Sequence, residues 1–175
     1  PQPFRSADNM TVALFNGEIY NYHALERDLR PNGPPYTSDG QCILEAYARW
    51  GESFTQRFEG EFAIAVFDVR ARRIVVSTDH FGIKPLFLAL HGDHFGVASY
   101  RSGLERAGHP PASITQLEAN KVHVFRYGYT GADRPASFAL DHTTVLRAWE
   151  VRQHKTDTTA WEAAFEAAVA KRTAG

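Results

Sequence analysis

The chain has 175 residues, 43% of them hydrophobic, enough for one sizeable core or one domain with an appendage. Its 19 basic residues stand against 20 acidic ones, a net charge of −1, so there is no electrostatic case for nucleic acid or an anionic membrane. No apolar run approaches a membrane span, no basic-then-apolar leader is present, and the single cysteine, Cys42, excludes an intrachain disulfide framework or a cysteine-based zinc cluster. A lone cysteine fits a reducing cytoplasm.

The chain opens on Pro1, and "PQPFRSADN" runs straight into a strand, which reads as a processed, trimmed or partial sequence. Residues 10–15, "MTVALF", read as a buried strand. It reaches Asn16-Gly17, normally the signature of a two-residue hairpin. No second alternating strand follows. Instead Tyr22 to Leu29 has a helical pattern, stopped by the dense turn signal "RPNGPP". Ser38 or Asp39 is the natural N-cap for "GQCILEAYARW", with Ile43, Leu44, Tyr47 and Trp50 on one face and Gly51 as the stop. "ESFTQRF" makes another short helix.

Strands at 62–69, 73–79, 85–90 and 94–99 follow, with the hairpin-sized connectors "RAR" and "HGDH". A short helix is expected near Gly103 to Ala107, then a strand in "KVHVFRYG", then a linker in "DRPASFALDHTT". Asp157 to Arg172 reads as an amphipathic helix whose stripe is Trp161, Ala164, Phe165, Ala168 and Val169, with Thr159 and Glu162 resembling a capping box. Helices early and strands mid-chain predict an antiparallel, layered α+β domain.

A strand ending in Asn16-Gly17 presents a side-chain amide and a backbone N–H together, the parts of an oxyanion hole, and glycine admits a substrate close to the backbone. Glu18 is adjacent and Asp39 stands at a helix start, so two carboxylates could hold an ammonium and orient a small amino acid. Taken alone, the same residues also read as a strand-end turn, a solvated glutamate and an N-cap. Cys42, on an apolar helix with no adjacent base, reads as a small core hydrophobe rather than a nucleophile. His91 and His94 flank a Gly-Asp turn with no third ligand indicated, so no metal site is expected; His80 beside Asp79 reads as a structural polar contact. Tyr20 and Tyr22 are expected to pack near the site entrance.

"FNGEIYNY", "TSDGQCILEAYARWG", "FEGEFAIAVFDVRARRIVVSTDHFGIKPLF" and "FGVASYRSGL" occur in this order and spacing. Together they resemble the class II glutamine amidotransferases of the asparagine synthetase type, over residues 1 to about 125. "WEAAFEAAVAKR" is similar to the helix that begins that family's ATP-dependent synthetase domain. The resemblance implies an αββα sandwich of the N-terminal-nucleophile hydrolase type, here incomplete because the first strands are absent. It divides the chain into a glutaminase-like domain, residues 1–132, and a linker with helix, residues 133–175.

By the same resemblance, Asn16 and Gly17 are the oxyanion-hole donors and Glu18 and Asp39 hold the backbone end of glutamine. The domain would supply ammonia from glutamine to amidate an activated carboxylate, as in asparagine biosynthesis. The family's N-terminal cysteine nucleophile, its arginine loop and its synthetase domain are not in this sequence. ATP and magnesium are therefore expected only in the missing domain, and no cofactor in this chain. Gln41 stands where the family usually has glutamate, and Tyr100 where "ASE" is usual. Expected partners are glutamine or a related small amino acid, and a separate synthetase subunit or further copies of the chain. The alternative is a nucleophile-less relative that serves as a binding or regulatory module, or acts on another amide or amino-acid-like substrate.

Overall fold

The computed structural model describes residues 2–129, 135–147 and 158–173. Its elements in chain order are β1 (Phe4–Arg5), β2 (Thr11–Ile19), α1 (Tyr22–Leu29), α2 (Cys42–Trp50), β3 (Gly60–Asp68), β4 (Arg73–Thr78), β5 (Phe87–His91), β6 (His94–Ala98), α3 (Arg101–Arg106), β7 (Ile114–Gln116), β8 (Lys121–Tyr129), β9 (Pro135–Val145) and α4 (Thr159–Thr173). Short 3-10 turns occupy Asp39–Gln41, Gly51–Arg57 and Pro111–Ser113.

The strands form two antiparallel sheets, one ordered β1-β2-β3-β4-β8-β9 and a smaller one ordered β6-β5-β7. Strand alternation sorts β3 into two faces. Phe62, Ile64 and Val66 join the core under α1 and α2, with Ile43, Ala46, Tyr47 and Phe54. Ala63 and Ala65 face the smaller sheet, meeting Val76, Leu86, Leu88 and Phe125. Beyond that sheet, Leu104 of α3 packs on Ala89 and Ile114. The layers are therefore helix, sheet, sheet, helix, the expected αββα order.

Three elements differ from the sequence reading. β2 does not stop at Asn16-Gly17 but pairs with β3 as far as Ile19↔Gly60. Gly17 has φ +141°, and a Cβ there would lie 1.9 Å from the carbonyl oxygen of Glu61, so glycine marks a close strand crossing rather than a hairpin. The segment read as a linker is largely β9, paired with β8 from Tyr129↔Pro135 to Lys121↔Val145, so the sheet extends beyond the boundary placed after residue 132. That boundary itself lies outside the described residues.

The third difference is α4. Its stripe is not buried: Trp161 is 67% and Phe165 56% exposed, their rings stacked 5.4 Å apart. The helix meets the body through an ion pair from Lys171 to Glu59 and Arg172 over the ring of Tyr20 at 4.9 Å, while Ala164 and Ala168 of the stripe, with Ala167, line a groove between the helix and the body. Thr158, just before the helix, donates its hydroxyl to the Glu162 carboxylate at 2.9 Å.

Candidate functional site

β1 covers only the first half of β2, pairing at Phe4↔Ala13 and Arg5↔Val12. Past that point the outer edge of β2 is open. Phe15 exchanges two hydrogen bonds there with the side-chain amide of Gln2, 2.8 Å from its N–H and 2.6 Å to its carbonyl. Ile19 donates its N–H to Asp39 Oδ2 at 2.8 Å on the same edge. Alternate residues of a strand direct their backbone groups to the same side, so the N–H of Gly17, midway between them, also faces this edge.

An open pocket of about 390 Å³ lies there, lined by Gln2, Phe4, Phe15, Asn16, Gly17, Ser38 and Asp39. A larger groove of about 890 Å³ runs between Tyr20, Phe81, Ile83 and α4. The smaller pocket holds the candidate chemistry, because donors and a carboxylate converge on it.

Each group is placed by identifiable local chemistry. Asp39 is delivered by a braced loop: Tyr36 Oη donates to Glu45 at 2.7 Å, Arg30 pairs with Glu45 and stacks on Tyr36, and Thr37 N–H donates to Gln41 Oε1 at 2.7 Å. Gln41, where the family usually has glutamate, thus still supplies an acceptor. Gly40 lets the turn close on β1 and β2, since a Cβ there would reach 2.5 Å from the Phe4 ring and 3.1 Å from the Phe15 ring. The Asp39 carboxylate accepts from both Ile19 and Gly40 N–H, at 2.8 Å each. It caps the edge of β2 as well as facing the pocket.

Asn16 Nδ2 donates to Ser99 Oγ at 2.8 Å, a contact between the two sheets over 83 residues of sequence. Three of the four expected site residues, Asn16, Gly17 and Asp39, therefore converge. Glu18 does not: it is exposed on the same strand face as Asn16 and is not among the pocket-lining residues. Gln2, Ser38 and Ser99 were missed. Their contacts span from 13 to 83 residues or rest on loop geometry, and no local pattern announces them.

Cys42 is buried among the core residues of α2, and burial first, then the charge of Asp39, pushes its thiol pKa up. Tyr20 lines the groove beside α4, and Tyr22 packs against the helix-side core, so neither stands at the pocket mouth. His80 Nδ1 lies 2.8 Å from Asn120 Oδ1, a structural polar contact. His91 and His94 face each other across the Gly-Asp turn as read, and His109 joins them, 3.2 Å from His91.

Away from the pocket, just past the end of β4, Asp79 is the hub of the "DHFGIKPL" stretch. It is 1% exposed, and its carboxylate accepts four backbone N–H groups, from Phe62, Phe81, Ile83 and Lys84, at 2.9–3.2 Å.

A family profile described as a glutamine amidotransferase domain matches residues 1–162. The chain belongs to this family. Among curated relatives, it is 40% identical over 118 residues to asparagine synthetase (glutamine-hydrolyzing) 2 of Bacillus subtilis, covering 67% of this chain and 16% of that protein. It is 28% identical over 164 residues to asparagine synthetase (glutamine-hydrolyzing) 3 of the same organism, covering 85% of this chain and 26% of the relative. The chain thus spans about a quarter or less of these relatives.

Among solved structures, the glutamine phosphoribosylpyrophosphate amidotransferase of B. subtilis superposes with a TM-score of 0.62 at 18% identity, covering 84% of this chain and 31% of that one. The amidotransferase has the N-terminal-nucleophile type of fold implied by the sequence motifs. Among the described residues, no helix is long and apolar enough to cross a membrane.

Proposed function

We propose that the pocket at the open edge of β2 is a glutamine site, in a domain whose family role is to release ammonia for amidating an activated carboxylate. The observation that carries this reading is the convergence of the Gly17 N–H, the Asn16 amide and the Asp39 carboxylate on one pocket. Two donors at one wall polarise an amide carbonyl and hold the oxyanion that develops on it. The Asp39 carboxylate retains lone pairs for an ammonium, placing the α-amino end opposite the side-chain amide. Glu18 reaches only the part of a ligand that extends out of the pocket. The names of the relatives support an asparagine-type acceptor; its activation with ATP and magnesium in a further domain or subunit, and a cytoplasmic setting, are part of the same proposal.

A second reading concerns this chain alone. The chain's single cysteine, Cys42, sits in the helix-side core and not in the pocket. The pocket residues bind and polarise an amide; they supply no thiol to attack it. On this reading these 175 residues bind glutamine and polarise its amide.

Titration with glutamine, glutamate and asparagine tests the site. Glutamine is expected to move the backbone amides of Asn16, Gly17 and Asp39 with a millimolar dissociation constant, about −4 kcal/mol. If none of the three ligands moves those amides, the site reading fails.

A further inference from the structure

We infer that Ser99 is a positioning residue for Asn16, fixing the carboxamide so that one N–H is held by the serine and the other is free for the pocket. The inference rests on reading the pocket as an amide-binding site. Asn16 lies in β2 of the larger sheet, whereas Ser99 follows β6 in the smaller sheet and is half-buried. Their contact, Nδ2 to Oγ at 2.8 Å, is a well-formed hydrogen bond.

A carboxamide nitrogen carries two N–H groups in a planar fork. Anchoring one of them fixes the plane of the group and directs the second away from the anchor. An unanchored asparagine on an exposed strand face would rotate about χ2, whose profile is broad. Preorganised donors outperform mobile ones because no reorganisation is needed as charge develops.

Ser99 also determines which layer supports each donor. The backbone donor, Gly17, is held by its pairing with Phe62 of β3. The side-chain donor is held by the smaller sheet. The spacing between the two donors therefore depends on how the sheets pack across Ala63, Ala65, Leu86 and Leu88. The residue that follows, Tyr100, is 73% exposed and stands at the N-cap of α3, so the serine and not its neighbour makes the inward contact.

The experiment follows the Asn16 side-chain carboxamide by nuclear magnetic resonance in the full 175-residue chain, as wild type, Ser99→Ala and Ser99→Thr. In Ser99→Ala the side-chain protons are expected to shift and to exchange with water roughly five- to tenfold faster, as for loss of one hydrogen bond. Thr retains the hydroxyl and is expected to restore both values. Backbone amides of Val66 and Leu104 are expected to stay unchanged.

An unaltered Asn16 carboxamide in Ser99→Ala, no rescue by Thr, or shifts that spread to Val66 and Leu104 would each overturn the inference. Glutamine separates the two readings. If it moves the Asn16 carboxamide in wild type and Thr but weakly in Ala, both stand. If Asn16 responds to Ser99 but glutamine moves nothing in any variant, the positioning stands and the glutamine site falls.

Discussion

Asp39 Oδ2 accepts the backbone N–H of Ile19 at 2.8 Å, tying the 3-10 turn before α2 to the outer edge of β2. The same carboxylate accepts the N–H of Gly40. A substitution here therefore acts on the fold and on the pocket together. Asp39→Asn presents an NH₂ where one of two N–H donors now finds an oxygen. It is expected to cost about 1–2 kcal/mol of stability, as for a hydrogen bond to a charged group, and to weaken glutamine binding by removing the ionised acceptor. Chemical denaturation and the glutamine titration read the two effects separately. A stability loss with no change in glutamine affinity would leave Asp39 purely structural.

Gly17→Ala is the most demanding single change in the pocket. The new methyl group would overlap the Glu61 carbonyl at 1.9 Å, and φ +141° disfavours any L side chain. Backbone atoms on both strands would have to move. The expected cost is about 3 kcal/mol or more, combining strain with steric overlap. A melting curve that matches wild type would refute the close strand crossing.

Asp79→Ala leaves four backbone N–H groups without their acceptor in a largely buried setting. Loss on the order of 4 kcal/mol is expected, because unsatisfied buried donors cost more than a hydrogen bond contributes. Asp79→Asn keeps one carbonyl oxygen and should fall between. Hydrogen exchange at Phe81, Ile83 and Lys84 should accelerate in Asp79→Ala before exchange in β3 does.

His123 gives the fold an acid-sensitive point. Its Nδ1 lies 3.1 Å from Thr143 Oγ1 on β9, while Nε2 is buried without a partner among the described residues. Burial first, then the charge of Lys121, holds its pKa below the ordinary 6.5. The unfolded chain thus binds the proton more readily than the folded one. Stability from this group is complete above about pH 6.5, declines as pH falls through that value, and levels off below the lowered folded pKa. His123→Gln should flatten this part of the stability–pH curve; an unchanged slope between neutral and mildly acid pH would exclude His123 as its source.

Cys42 should be chemically quiet. Alkylation of the folded chain at neutral pH is expected to be slow, since the thiol is buried and its ionisation is disfavoured. Cys42→Ala should cost on the order of 1 kcal/mol and leave glutamine shifts intact. The unmodified chain is expected to release no ammonia from glutamine. Ammonia production that Asn16→Ala abolishes would show that another group in the pocket attacks the amide.

The sequence made elements legible where periodicity or turn chemistry is local. α1 begins and ends at Tyr22 and Leu29 as read, and the strand series from β3 to β6 falls within two residues of expectation, β3 starting two residues early and β5 two residues late. Asn16-Gly17 misled in one respect: the strand reads as ending there, but tertiary pairing with Ala63 and Phe62 keeps β2 extended to Ile19. β9 was missed because Asp141, His142 and adjacent threonines dilute its alternation, and a partner strand identifies it only through long-range pairing. The motif residues of the pocket were visible; the groups that hold them, Gln2 and Ser99, act across sequence distances that no local pattern records.

The two faces of β3 have a consequence for how the molecule comes apart. Phe62, Ile64 and Val66 belong to the helix-side core, and Ala63 and Ala65 to the core between the sheets, so one strand is the common wall of both. A slip of one residue would send the aromatic and branched side chains into the space cut for alanine and leave methyl groups in the space cut for phenylalanine. Neither core can loosen along β3 while the other keeps its register. The two compartments are joined like rooms sharing a single bearing wall, and they stand or melt together.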